Sequence, residues 1–289
     1  MKEKLKLIFL PFLLTSISFI SLYTLLNWLL FVKLNLIEVD ETIRNIGLPM
    51  FLLCIPILTW MKPRIHLLGR QLTYTVAAWA LILCPTIIAQ YTMNSATGKL
   101  TELKSISNIV DQDKTKFYTV QDYFVSKKGV TSHVDTTVDD KNLKIRIYAA
   151  FPIYESRRKK NKSPAAWLGI HYDKKIKAKL SEEEKQKQFV AFIDEIEENI
   201  HNKNVQEFTY LDRTTNPYFL NGYLEAIKDN PKLTADNNIV LLPVSTPFTE
   251  RNGLMPFWLG VAFFLGTFIW FLLLIKPKLE KHISSTNEK

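Results

Sequence analysis

The polar middle of this 289-residue chain, residues 93–252, contains no cysteine; the two cysteines, Cys54 and Cys84, lie in apolar runs. A soluble domain in that middle therefore has no internal disulfide to rely on. Two thiols among apolar neighbours read as small hydrophobes. Reactive motifs are missing as well. There is no glycine-rich phosphate loop and no Gly-x-Ser-x-Gly elbow. None of the five histidines has a second His or Cys at metal-ligand spacing, so the sequence offers no zinc site. Asp111-Gln112-Asp113 and Asp139-Asp140 lack the spacing and the glycine of an EF-hand loop. No cofactor is expected. The apolar runs also lack charge and histidine, which excludes an intramembrane Ser–His pair and suggests no proton or ion path.

What is present is apolar length. Mean hydropathy is zero, but that average merges two populations. Residues 7–32, 46–61, 72–91 and 254–275 are apolar, and about 20 such residues cross a bilayer. The first run is too long for a cleaved signal. The second is short and holds Pro49 and Pro56, which leaves a kinked or re-entrant helix open as an alternative. Thr15, Ser16, Ser18, Ser21, Thr24, Asn27, Thr59 and Gln90 lie in these runs and are expected to bond their own backbone or a neighbouring helix.

Charge then sets an orientation. The net charge is +9, of which the middle accounts for +3 and the membrane portions for +6. Lys2, Lys4 and Lys6 precede the first run, Lys62, Arg64 and Arg70 separate the second from the third, and Lys276, Lys278 and Lys281 follow the fourth. Positive flanks mark the cytoplasmic side. The expectation is an inner-membrane, multi-pass protein. Both termini are cytoplasmic, including a tail at 277–289, and residues 93–253 are extracytoplasmic. No basic stripe interleaved with aromatics marks the middle, so no nucleic-acid partner is expected.

The middle predicts an α+β domain with an antiparallel or mixed sheet and two helices on one face. Residues 93–113 read as a connector with a helical turn at 100–109. Phe117–Val125 and Val130–Val138 read as strands joined by a turn at Lys127-Lys128-Gly129, the second with Val130, Val134 and Val138 on one face. Leu143–Ile153 alternates with period two over its whole length. Ala166–Tyr172, Phe208–Leu211 and Ile239–Val244 complete the strands. Ser181 with Glu184 forms a capping box for one helix, and Asn216-Pro217 opens a second that Asn230-Pro231 ends. Arg157–Lys162 reads as a solvated basic loop, and Asp212-Arg213 as a local ion pair. The weak polar candidates for a site are His171, Tyr172 and Asp173, with a surface turn as the plain alternative.

Several stretches taken together resemble the N-terminal extension of some Bacteroidota rhomboid-family membrane proteins. They are Ile55–Leu68 (IPILTWMKPRIHLL), Pro85–Leu100 (PTIIAQYTMNSATGKL), Lys116–Phe124 (KFYTVQDYF), Arg146–Tyr154 (RIYAAFPIY), Ala165–Tyr172 (AAWLGIHY), Thr209–Arg213 (TYLDR) and Ile239–Gly253 (IVLLPVSTPFTERNG). Their order and spacing carry the resemblance. In that family a protease core follows the extension, with a serine in Gly-x-Ser-Gly and a histidine on another membrane helix. This sequence holds neither, so the resemblance implies a rhomboid-associated module and no catalytic residue carries over. The leading expectation is a non-catalytic binding module whose partners are the lipid bilayer and an envelope protein or a rhomboid-type protease. The alternatives are an accessory or split half of such a protease, and an enzyme using His171, Tyr172 and Asp173.

Overall fold

The structure is a computed structural model. It describes every residue except 35–38, 40, 70, 113, 140, 160–162, 229–238, 278 and 280–289. The predicted helix end at Asn230-Pro231 lies outside the described residues. The chain divides into two compact units, one of Met1–Thr97 with Arg251–Lys289, the other Gly98–Glu250.

Among the described residues, four helices are long and apolar enough to cross a membrane: Lys2–Lys33, Ile43–Leu68, Gln71–Thr97 and Phe248–Leu273. The second outlasts its predicted run. Its 26 residues reach about 39 Å at 1.5 Å per residue. The helix continues past Pro49 and Pro56 through π-helical turns at Ile43–Gly47 and Ile57–Met61, a common response to prolines that cannot donate in the ladder. Phe12 stacks on Trp270 at 4.7 Å, joining the first and fourth helices. A Cβ on Gly266 would lie 3.3 Å from the Leu81 carbonyl oxygen, so the third and fourth pack backbone to backbone. Basic side chains close two helix C-termini, where carbonyls lack partners. Lys4 Nζ donates to the Leu274 carbonyl at 2.7 Å, and Arg251 to those of Ser95 and Ala96 at 3.0 and 2.6 Å.

Among its described residues the second unit holds a mixed sheet of eight strands: β1 Leu100–Ser105, β2 Phe117–Asp122, β3 Phe124–Val125, β4 Thr131–Val138, β5 Asn142–Tyr154, β6 Ala166–Lys177, β7 Tyr210–Arg213 and β8 Val240–Val244. Its helices are α1, Glu182–Asn202, and α2, Pro217–Lys228. The strand order is β1-β2-β7-β8-β6-β5-β3, with β4 also on β5. β1 with β2 and β6 with β8 are parallel; the other pairs are antiparallel.

Three expectations change here. Residues 100–105 are a strand, with a 3-10 turn only at Ile106–Ile109. Lys127–Gly129 is not a hairpin turn. Phe124 pairs with Tyr154 and Thr131 with Ala150, so β3 and β4 run along the same edge of β5 and the three residues form a bulge between them. The Phe117–Val125 run is two strands, β2 next to one end of the strand order and β3 at the other. Asp122 and Phe124 are two residues apart, at most about 7 Å. Laid flat, the path β2-β7-β8-β6-β5-β3 would separate them by about 24 Å, five steps of 4.8 Å. The sheet therefore curls until β2 and β3 meet. The amide of Gln206 pairs with both backbone groups of Val125, at 3.1 and 2.6 Å, where a strand neighbour would otherwise stand.

The curl encloses Tyr118, Val125, Ala149, Phe151, Ile153, Leu168, Ile170, Leu211 and Leu241. The predicted alternation of β5 holds: Ile145 and Ile147 continue this inner face and meet Phe192 and Ile196 of α1. Ser181 caps α1 with the full capping box. The two helices do not share a face. α2 packs Tyr223, Ala226 and Ile227 on Tyr148, Ala150, Trp167 and Val240, the opposite side of the sheet. Period two sends alternate residues of β5 to α1 and α2 in turn.

Candidate functional site

The α2 side of β5 and β6 carries a cluster of contacting polar and aromatic side chains. Register sets its rows. Asp135, Arg146 and Asp173 lie side by side on β4, β5 and β6, and His133, Tyr148 and His171 form the next row. Asn216 starts α2 by accepting from the Tyr218 amide at 3.0 Å, with Pro217 in the first turn where its missing N–H costs nothing. That places Tyr218 and Phe219 above the rows. Two glycines let the helix descend. A Cβ on Gly222 would meet the Tyr148 ring at 2.3 Å, and one on Gly169 would meet Tyr223 at 2.9 Å.

Arg146 is the centre of the cluster. Its Nε donates to Asp173 Oδ1, and its guanidinium lies 5.0 Å from the ring centroids of both Tyr218 and Phe219, within cation–π range. Burial works against its charge, but the hydrogen bonds to Asp173 and Tyr148 outweigh that and raise its pKa. His171 Nδ1 lies 3.1 Å from Tyr223 Oη, and its Nε2 is 3.8 Å from Asp173 Oδ2. Burial, helped by Arg146 and opposed by Asp173, lowers the His171 pKa. Burial raises that of Tyr223, which is fully buried and keeps its proton. Tyr218 is 61% exposed. The cluster therefore presents a fixed cation and an exposed aromatic, groups that suit recognition of another protein.

The predicted trio is divided by the sheet. His171 and Asp173 belong to this cluster. Tyr172 points to the other side and packs with Ile200 against the inner core and α1. Arg146, Tyr148, Tyr218 and Tyr223 were missed, although Arg146 and Tyr148 sit on the outward phase of a strand whose period was plain. Asp212 pairs with Lys116, the residue before β2, at 2.8 Å rather than with Arg213. Asp139 closes the β4–β5 turn by accepting from the amides of Lys141 and Asn142, and binds Lys144 at 2.9 Å. The Lys144 bond leads the backbone bonds in holding its carboxyl at about 2. Residues 157–159 of the basic run form a 3-10 turn, with Lys159 on Glu155. Among the described residues no group of three His, Cys, Asp or Glu is placed to hold a metal.

The first unit holds polar contacts between its helices. Asn27 donates to Gln90 Oε1 at 2.7 Å, and Gln90 donates to Thr24 at 2.8 Å. One turn further along, Asn94 donates to Asn45 at 3.2 Å. Thr15, Ser16, Thr59 and Thr86 instead bond their own helix four residues back, the outcome expected of short hydroxyls. Compared with family models, curated proteins and solved structures, the chain matches none.

Proposed function

We propose that the chain is a membrane-anchored binding module. In this reading the four helices cross the inner membrane, both ends of the chain lie in the cytoplasm, and the Gly98–Glu250 unit lies on the extracytoplasmic side. An even number of apolar helices and basic flanks at Lys2–Lys6, Lys62–Arg70 and Lys276–Lys281 support it. The observation that carries binding is the Arg146 shelf beneath the exposed Tyr218, because interface hot spots concentrate Arg and Tyr over packed supports. The partner is an envelope protein. The resemblance to rhomboid extensions favours a second reading, in which that partner is a rhomboid-type protease or its substrate.

In a Cys54→Ala/Cys84→Ala background, an impermeant thiol reagent applied to intact cells should label Lys187→Cys and leave Ser284→Cys untouched; the reverse pattern overturns the orientation. A photo-crosslinker at Tyr218 should trap a reproducible envelope partner that Arg146→Glu releases. Recovery of none removes the binding reading. Unchanged cleavage of a co-resident rhomboid-type protease's substrates after deletion of this chain removes the second one.

A further inference from the structure

Val130, Val134 and Val138 recur at every fourth position along β4 and the residue before it, and the fold leaves the last two uncovered. Val134 is 41% exposed and Val138 72%. The strand itself is an edge: among the described residues its outer side pairs with no other strand. Long edges are normally blunted by lysine, proline or a bulge. Thr131–Val138 contains none of these over its 8 residues.

The chemistry around Val134 is self-complementary. Antiparallel pairing of two copies about Val134 sets each Val134 opposite the partner's Val134, and Val138 opposite the partner's Val130. On the other face it sets His133 opposite the partner's Asp135, and does so twice. Centring one residue away would oppose His133 to the partner's His133, or Asp135 to the partner's Asp135. A centre between two residues is excluded, because adjacent residues direct their backbone groups to opposite edges. The favoured register also extends an existing row. Asp173, Arg146 and Asp135 already lie side by side across β6, β5 and β4, and the partner's His133 adds a ring N–H donor beside the Asp135 carboxylate. Cross-strand polar pairs and packed β-branched residues are the stabilising units of a sheet.

We propose that the β4 edge is a self-association surface, through which a second copy of this chain pairs antiparallel about a two-fold axis at Val134 and makes one continuous sheet. This goes beyond the binding reading, since it uses a different edge and needs no other protein. The test uses the full chain in the cysteine-free background, in detergent and in native membranes. Val134→Cys should form a disulfide-linked dimer on mild oxidation. Thr136→Cys should not, because its two copies would sit four residues apart in register, about 14 Å, beyond the roughly 7 Å a disulfide spans. Asp135→Lys should weaken dimerisation about tenfold by light scattering on dilution, each of the two His133 rings having lost its acceptor. No link at Val134, equal links at both positions, or a dimer indifferent to Asp135→Lys would each overturn the proposal. If Asp135→Lys does not fold by circular dichroism, the two cysteine variants decide it alone.

Discussion

Gly222 of α2 rests directly on the ring of Tyr148, so closely that a methyl group there would lie 2.3 Å from a ring carbon. The ring cannot withdraw. It is buried, packed edge-on against Tyr223 at 5.1 Å, and its hydroxyl donates to the Tyr218 carbonyl at 3.3 Å. At this ring the gap between helix and sheet is therefore set by an absent side chain, as it is by Gly169 beneath Tyr223.

Gly222→Ala should lift α2 and unseat the Arg146 shelf. Overpacking of this kind costs about 2 kcal/mol, less the roughly 1 kcal/mol that alanine returns over glycine within a helix. Thermal unfolding should shift down by about 3 °C, and labelling of His171 by a histidine-selective reagent should rise. A variant as stable as the parent would mean the ring has room to move.

The amide pair Asn27–Gln90, with Gln90 also bonded to Thr24, joins the first and third apolar helices. Such bonds in membrane proteins average about 0.6 kcal/mol. A double-mutant cycle of Asn27→Leu and Gln90→Leu, followed by unfolding in mixed micelles, should give a coupling near that value. Each single change should cost more than its share of the double, because it strands one buried amide. Purely additive effects would show that the contact contributes nothing.

His171 links the cluster to pH. Its folded pKa is lowered by burial, while an unfolded histidine titrates near 6.5. The unfolded chain thus binds the extra proton first on acidification, and stability rises with pH across this range. The contribution is fully present above about 6.5 and is lost as pH falls through that value toward the folded pKa. The slope of melting temperature between pH 7 and 5 should be shallower in His171→Gln. Equal slopes would assign the acid sensitivity elsewhere.

Local signals survived the passage from sequence to structure. Ser181 and Glu184 cap a helix through bonds made within four residues, and β5 keeps its alternation because one face is the core. The Phe117–Val125 run was misread for a reason of range: a nine-residue segment rich in aromatic and β-branched residues looks the same whether it is one straight strand or two halves of a closing seam. Only pairing with Leu211 on one side and Ile153 on the other distinguishes them. The division of His171 from Tyr172 was legible, since neighbours on a strand face opposite ways. Arg146 was not, because nothing local places Tyr218 above it. Gln90 could be listed as polar, but only the helix packing brings it to Asn27.

β8 is the last strand to be synthesised, yet it lies between β7 and β6 rather than at a margin. A nascent chain that has not reached Val244 can form the local β4–β5–β6 ribbon, but the two halves of the sheet have nothing between them. Closure is thus postponed until the ribosome has almost reached the fourth helix. Such sequence-distant pairing is slow, and during the wait the apolar inner face is open to solvent. Interruption by truncation or a stalled ribosome anywhere before residue 240 would release an adhesive fragment, not a smaller domain. For this unit, completeness is a condition of solubility.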